Sequence, residues 1–204
     1  MAHSPQIRKG ADIRKPEILE GFYQAIIAEG IEGASFAKIA KLLNINQSLI
    51  HHYFKTKNNM LLELADLVIK KWQNPSFREG FEVIEDPAQR FDAFLDSLFL
   101  EESIGVVDTR VFYAFYYLCY RNENIRLRLK RMFNRFRDYL VGELSNFRKS
   151  GIITVTDLEL AAEYIITLQE GLAFHQTFFQ ENKPFEIFGE FAKFAAIDAL
   201  TRVD

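Results

Sequence analysis

Apolar residues recur at intervals of three and four along most of the 204-residue chain, and this is the spacing of one face of an α-helix. Few positions interrupt the pattern, because the chain has 5 prolines and 10 glycines. One β-prone run, residues 152–155, is too short to build a sheet. The sequence therefore predicts an all-α protein of nine helices.

Three helices are predicted in the N-terminal third of the chain, and the second and third of them are short. Ile18, Phe22 and Ile26 lie four residues apart in the first helix, which Gly30 and Gly33 end. The next two helices, residues 36–43 and 47–54, are joined by a tight turn, which is the helix-turn-helix pattern. We expect the core of this module to contain Phe36, Ile39, Leu43, Ile45, Ile50 and Phe54.

Polar residues at the expected helix boundaries support this interpretation. Ser35 and Asn46 are suitable N-caps for the second and third helices. Asn44 lies in the turn between them, where the backbone needs a left-handed conformation that Asn tolerates.

Six further helices are predicted beyond residue 56. They cover residues 57–72 after Thr56, 87–100 after Asp86, 106–120, 122–149, 157–180 with a capping box of Thr156 and Glu159, and 185–201 after Pro184. The longest of them is amphipathic, with Leu129, Met132, Phe133, Phe136, Tyr139 and Leu140 on its apolar side.

Several classes of function are disfavoured. The single cysteine, Cys119, excludes an internal disulfide and a zinc site of several cysteines, and we interpret it as a small buried residue with a redox role as the alternative. No signal segment or membrane-spanning run is visible, so we expect a cytoplasmic protein that does not bind membranes. Catalytic and nucleotide-binding motifs are absent, and adjacent His51 and His52 point about 100° apart on a helix. We therefore expect no enzyme activity, no cofactor and no metal.

Charge is distributed unevenly along the chain. Residues 1–60 contain eight Lys or Arg and five Asp or Glu, whereas residues 61–204 contain seventeen and twenty-three. A basic N-terminal module is compatible with DNA binding.

The segment from Phe36 to Leu61, with its Ile39-Ala40 pair and its His52-Tyr53-Phe54-x-x-Lys57 run, resembles the TetR family of bacterial transcription regulators. The resemblance covers residues 18–62 in detail. It implies a helix-turn-helix DNA-binding domain with an N-terminal arm at residues 1–56, a linker helix at 57–78, and a larger helical domain at 79–204 that binds an effector and dimerises.

A helix that enters the major groove reads bases with the side chains at its N-terminus. Gln47 can read adenine with its amide, Leu49 can contact a thymine methyl group, and Lys57 with nearby backbone N–H groups can hold a phosphate. The expected DNA-binding residues are Ser35, Lys38, Asn46, Gln47, Ser48, Leu49, His51, His52, Tyr53 and Lys57. The family usually has Gly at position 44, a small residue then Thr at 48–49, and often Tyr at 51, so the resemblance does not supply the operator sequence.

The segment 111–120 contains six aromatic residues and no charge, which predicts a helix buried on all sides. The resemblance places this helix in an effector pocket, and the alternative is that its aromatic side chains fill the core. The expected ligand-binding residues are Arg110, Tyr113, Tyr116, Tyr117, Tyr120, Gln169 and His175. For His175 the other interpretation is a hydrogen-bonding core or interface residue.

The resemblance also implies that the last two helices pair with those of a second copy. Two apolar faces on residues 158–179 agree with one face toward the core and one toward a partner subunit. The expected dimerisation residues are Ala162, Ala173, Phe185, Phe188, Phe191 and Phe194.

Together these observations predict a homodimeric repressor that a small hydrophobic or aromatic effector releases from a palindromic double-stranded DNA operator. The alternative is a ligand-blind regulator whose C-terminal domain only dimerises. The basic side of the helix over residues 126–137 leaves open a second nucleic-acid site or a membrane surface.

Overall fold

The computed structural model describes residues 11–72, 80–100, 107–179 and 184–202. Within these ranges the chain forms nine α-helices and no strand, which confirms the predicted all-α fold. The helices are α1 (Ala11–Gly33), α2 (Phe36–Leu42), α3 (Gln47–Phe54), α4 (Lys57–Trp72), α5 (Pro87–Phe99), α6 (Thr109–Cys119), α7 (Glu123–Lys149), α8 (Leu158–Phe179) and α9 (Phe185–Thr201).

The helix boundaries follow from local chemistry. The side-chain oxygens of Ser35, Asn46, Thr56 and Asp86 each accept a hydrogen bond from a backbone N–H of the helix that they precede, as predicted. The capping box predicted from Thr156 and Glu159 is wrong. The α8 helix begins one residue later than such a box requires, and Asp157 Oδ1 accepts from the backbone N–H of Leu160 at 3.0 Å.

Two residues bend the chain where the sequence predicts a turn. Gly30 lies inside α1 with φ 71° and ψ 170°, so the helix is kinked there and its last turn is separate. Asn44 has φ 50°, which confirms the left-handed conformation expected between α2 and α3. These bends set where α2 and α3 begin.

The described residues divide into two compact units. The first unit comprises those within Met1–Ile69 and Arg110–Arg126, and the second those within Lys70–Thr109 and Leu127–Asp204. The division differs from the predicted ranges 1–56, 57–78 and 79–204, because residues 110–126 group with the N-terminal helices. As functional domains the predicted ranges stay a prediction.

In the first unit α1 packs against α2, and α2 packs against α3. Its fully buried side chains include Phe22, Ile39, Phe54, Met60 and Phe115. The burial of large apolar groups from several helices stabilises the positions of α2 and α3 in this unit.

In the second unit α9 packs against α8 and α5. Phenylalanine dominates the core, and the ring of Phe94 lies 5.3 Å from those of both Phe81 and Phe147. The ammonium group of Lys193 on α9 pairs with Asp92 at 2.7 Å and with Asp96 at 2.5 Å, both on α5. Apolar contact and two ion pairs thus join α9 to α5.

The long helix α7 is amphipathic, as predicted. Leu129, Met132, Phe136 and Leu140 are buried, whereas Phe133 and Tyr139 of the expected apolar side are half-buried. None of the helices in the ranges described above is long and apolar enough to span a lipid bilayer.

Candidate nucleic-acid interface

The α3 helix is anchored through one face. Ile50 and Phe54 on this face are buried, with 0% and 1% of their surface exposed, and Phe36 and Ile39 of α2 are buried with them. The predicted core residues Leu43 and Ile45 are only half-buried, because they lie at the turn rather than inside a helix face. The opposite face of α3 therefore faces solvent.

The residues that the sequence predicts to contact DNA lie on or beside this exposed face. Seven of the ten side chains are exposed and three are half-buried. The exposed residues are Ser35, Lys38, Asn46, Gln47, Ser48, His51 and His52, and the half-buried residues are Leu49, Tyr53 and Lys57.

Some of these side chains already have partners within the chain. The Asn46 Oδ1 atom accepts from the Ser48 backbone N–H at 2.9 Å, and Ser35 Oγ accepts from that of Lys38 at 3.3 Å. Lys38 Nζ also pairs with Glu29 Oε2 at 2.5 Å. The contact of Gln47 Nε2 with His51 Nε2 is long, at 3.4 Å, so the amide of Gln47 can turn toward a base at little cost.

We expect Asn46→Ala to lower the free energy of unfolding by about 1 kcal/mol, since it removes the side-chain acceptor at the start of α3. Thermal or urea denaturation measures this loss. Asn46→Ser, which keeps an acceptor oxygen, is the matched control and should retain most of the stability. Equal losses in both variants would contradict a capping role.

His51 and His52 each pack against an aromatic ring. The ring of His51 packs edge-on against Phe36 at 4.7 Å, and that of His52 against Tyr53 at 5.4 Å. Across the described parts of the chain, no group of three or more His, Cys, Asp or Glu residues is placed to hold a metal ion.

Lys57 has contacts that sequence reasoning missed. Its Nζ atom donates to the carbonyl oxygen of Ile31 at 2.6 Å and to that of Glu32 at 3.3 Å. Burial lowers the pKa of Lys57, and the Glu32 carboxylate opposes this effect. One feature of the sequence could have indicated these contacts. The first helix ends near glycines, and the last carbonyl groups of a helix need hydrogen-bond donors from elsewhere.

The prediction that the aromatic helix is buried on all sides is wrong. Along α6, Val111 and Phe115 are buried, whereas Tyr117 is 44% exposed and Tyr120, one residue after the helix, is 92% exposed. A tyrosine hydroxyl can remain in water while the ring packs, so a run rich in tyrosine does not require complete burial. Cys119 is half-buried, and burial raises the pKa of its thiol against the opposing effect of Arg126.

The predicted ligand-binding residues fall in both compact units. In the first unit, Arg110 and Tyr117 line an open cavity of about 350 Å³ together with Ile26, Ile27, Gly30, Ile31, Glu32 and Ala114. Tyr113 and Tyr116 lie on the same helix and are half-buried. In the second unit, Gln169 donates to the Leu98 carbonyl oxygen at 2.8 Å. That these residues share one pocket stays a prediction.

His175 lies in an aromatic cluster on the second unit. Its ring lies 3.8 Å from that of Phe188 and 5.0 Å from that of Phe179. The side chain is half-buried. These contacts fit the interpretation of His175 as a packing or interface residue.

The predicted dimerisation residues separate by burial. Ala162 and Phe185 are 0% and 6% exposed and belong to the core of the second unit, so they have almost no surface to offer a partner. Ala173 and Phe188 are half-buried. Phe191 and Phe194 are 70% and 66% exposed. Other exposed apolar residues of α8 and α9, which the sequence prediction missed, are Leu160, Tyr164, Phe174, Phe178, Phe179 and Ile187.

Comparison with known proteins identifies the family. Residues 18–64 match the domain described as bacterial regulatory proteins, tetR family. Residues 86–196, more than half of the chain, match the C-terminal domain described as tetracyclin repressor-like. The chain belongs to the TetR family. TetR proteins are DNA-binding transcription regulators and not enzymes.

Among curated TetR proteins, the chain is similar to the HTH-type transcriptional regulator BetI of two organisms. The Stenotrophomonas maltophilia protein is 24% identical over 110 residues, which are 53% of this chain and 56% of that protein. The Yersinia pestis protein is 26% identical over 106 residues, 51% of this chain and 53% of that one. The chain thus matches about half the length of these curated relatives.

Solved TetR-like structures share the fold. A TetR transcription regulator from Haloarcula marismortui has a TM-score of 0.77 at 18% identity, covering 94% of this chain and 100% of that one. A putative transcriptional regulator from Saccharomonospora viridis in complex with choline has a TM-score of 0.80 at 17% identity, with the same coverage. FadR from Bacillus subtilis in complex with stearoyl-CoA has a TM-score of 0.71 at 16% identity, covering 91% and 98%.

Proposed function

We propose that this TetR-family chain is a sequence-specific repressor that acts in the cytoplasm as a homodimer on a palindromic DNA operator. The exposed face of α3 carries the proposal. Ile50 and Phe54 anchor the helix from behind, so that Gln47, Ser48 and His51 can enter a major groove without disturbing the core. The base-reading residues are Gln47, Ser48 and Leu49, and Tyr53 and Lys38 bind phosphates.

The exposed aromatic surface of α8 and α9 supports the dimer. Phe174, Phe178, Phe191 and Phe194 are each more than half exposed, and they belong to two helices that pack against each other. Large exposed apolar patches mark interaction sites. A twofold axis through this surface would give two copies of α3, which read half-sites about 34–36 Å apart.

We further propose that a small hydrophobic or aromatic effector releases the protein from DNA. The tyrosine-rich helix α6 supplies aromatic surface with hydroxyl groups, which suits flat or cationic molecules. Two structural neighbours were solved with small molecules, choline and stearoyl-CoA, that differ greatly in size and charge. Proteins of this fold thus bind small molecules of different chemistry.

Selection of random double-stranded DNA by the purified protein tests the function. An enriched inverted repeat would support a dimer that reads two half-sites. No enrichment at any salt concentration, with protein that was unfolded and refolded to remove bound molecules, would contradict the proposal. The selected operator is also the probe for the experiments below.

Gln47→Ala should weaken operator binding by about 1–3 kcal/mol and relax the preference at one base pair of each half-site, since a bidentate amide contact would be lost. Fluorescence anisotropy with the operator and its single-base variants measures both effects. Asn59→Ala changes another exposed amide of the same unit, outside α3, and serves as the control. An unchanged base preference in the Gln47 variant would exclude direct readout.

Effector release can be tested once the operator is known. Compounds that raise the thermal stability of the protein are added to the protein–operator complex. A tenfold loss of DNA affinity requires about 1.4 kcal/mol of coupling between the two sites. Compounds that bind equally well with and without operator would favour the ligand-blind alternative.

A further inference from the structure

Hydrogen bonds fix the turn at residues 120–122, which connects α6 to α7. The backbone N–H groups of Arg121 and Asn122 both donate to the carbonyl oxygen of Leu118, at 2.9 and 2.8 Å. The Asn122 Oδ1 atom accepts from two backbone N–H groups at the start of α7, at 3.1 and 3.3 Å, and so caps that helix. The turn therefore has a defined conformation before any partner binds.

The same turn is joined to the start of α4. Asn122 Nδ2 donates to Asn58 Oδ1 at 2.7 Å, and Asn58 directly follows Lys57, the first residue of α4. Both segments belong to the first compact unit. In the proposed function the start of α4 faces the DNA backbone, because Lys57 and nearby backbone N–H groups are expected to hold a phosphate there. The hydrogen bond to Asn58 therefore brings the turn close to the DNA as well.

Two side chains of the turn can donate to a phosphate. Arg121 is exposed, and its guanidinium group lies over the ring of Tyr117, 5.1 Å from the ring centroid. A guanidinium group that stacks on a ring keeps its N–H groups directed outward in its own plane. Tyr120 is 92% exposed, so its hydroxyl group lies in water. Arginine and tyrosine side chains are both donors to the phosphate oxygens of DNA.

The charges of this segment favour an anion. Residues 120–126 contain two arginines, Arg121 and Arg126, and one acidic residue, Glu123. Both carboxylate oxygens of Glu123 accept from Arg126, at 2.5 and 2.7 Å, so these two charges offset each other. Arg121 therefore gives the segment a positive charge.

We propose that the turn at residues 120–122 is a second contact with the DNA backbone, in which Arg121 and Tyr120 bind a phosphate close to the one at the start of α4. This contact lies outside the helix-turn-helix, and it rests on the proposed DNA-binding function. Because it touches no base, it adds affinity for every duplex and leaves the base preference to α3. Asn122 and Asn58 are positioning residues that hold the turn against α4.

The test compares Arg121→Gln with Arg131→Gln. Arg131 is an exposed arginine of α7 in the second unit, and its replacement removes the same charge. Affinities for the selected operator and for a scrambled duplex are measured over a range of salt concentrations. For Arg121→Gln we expect about a tenfold loss for both duplexes, and a slope of log affinity against log salt that is smaller by about 0.9 for each bound subunit. Arg131→Gln should leave both affinities and the slope nearly unchanged.

Ethylation interference locates the contact on the DNA. Single phosphates of the operator are ethylated, which removes their charge, and the effect on binding is measured for each variant. We expect at least one phosphate in each half-site whose ethylation weakens binding of the unmodified protein and of Arg131→Gln, but not of Arg121→Gln.

Tyr120→Phe covers the case in which Arg121→Gln does not fold. The substitution keeps the exposed ring and removes only the hydroxyl group. We expect operator affinity to fall about threefold, because one hydrogen bond to the phosphate is lost. The salt dependence should be unchanged, since the hydroxyl group carries no charge.

The proposal is overturned if Arg121→Gln binds both duplexes like the unmodified protein and shows the same interference pattern. Equal losses in Arg121→Gln and Arg131→Gln would also overturn it, because they indicate general attraction rather than a contact. Unchanged affinity of Tyr120→Phe would overturn the role assigned to Tyr120. If the unmodified protein does not prefer its operator over the scrambled duplex, the proposed function fails instead, whatever the variants show.

Discussion

Phe191→Asp combined with Phe194→Asp is expected to convert the protein to a monomer and to reduce operator affinity by about a hundredfold or more. The two rings are 70% and 66% exposed and lie three residues apart on α9, so they share one face. Burial of each ring against a second copy would contribute about 1.5–3 kcal/mol. Aspartate removes this gain and places an unpaired charge in the interface.

The loss of DNA affinity follows from the loss of linkage between two half-sites. A dimer binds its second half-site as an intramolecular event, and such linkage can raise overall affinity by about 10²–10⁴. Analytical ultracentrifugation measures the mass in solution, and anisotropy measures operator binding. The predicted change therefore appears in two independent experiments.

Val83→Asp is the matched control for this prediction. Val83 is 80% exposed and belongs to the second unit, but it lies outside α8 and α9. The Val83→Asp substitution also replaces an exposed apolar residue with aspartate. This variant should leave both the mass in solution and the operator affinity unchanged. A double phenylalanine variant that stays dimeric would place the interface elsewhere.

Gly189→Ala is expected to destabilise the second unit by about 1–3 kcal/mol, as overpacking of a dense interior does. A Cβ atom at Gly189 would lie 2.5 Å from the backbone carbonyl oxygen of Phe99, so α9 and α5 would have to move apart. A backbone oxygen cannot rotate away as a side chain can. Thermal unfolding should show a decrease of about 2–4 °C for each kcal/mol lost.

Gly142→Ala provides the control of opposite sign. Gly142 lies within α7, and within the described ranges no atom other than the backbone of its own helix and its two chain neighbours lies within 4 Å of the position where its Cβ atom would be. Alanine is favoured over glycine in a helix, so this variant should gain about 0.5–1 kcal/mol. A loss of similar size in both variants would show that contact with Phe99 is not the cause.

Local patterns predicted the burial pattern of α3 well. The burial of Ile50 and Phe54 and the exposure of Gln47, Ser48 and His51 follow directly from helical periodicity, because one face of a short helix must pack. The four capping residues before α2, α3, α4 and α5 could also be predicted, because each accepts a hydrogen bond from a backbone N–H two or three residues later. These features depend on residues at most four positions apart.

Features that depend on distant residues were not predictable. Lys57 and Ile31 are 26 residues apart in the sequence, and no local pattern indicates that their atoms meet. On α8 two apolar faces are present, and periodicity alone cannot tell which faces the core. Because of this ambiguity, the expected dimerisation residues include Ala162, which is buried, and leave out Phe174 and Phe178, which are exposed.

The separation of anchoring and exposed residues on α3 has an evolutionary consequence. Gln47, Ser48, His51 and His52 can be exchanged without changing the apolar surface that holds the helix. Under the proposed function, new operator preferences can therefore arise by substitution at little cost in folding. Asn46 is an exception, because its side chain also caps the helix. A duplicated copy of this gene could therefore acquire a different set of target promoters through a few changes on one helix turn, while inheriting its scaffold intact.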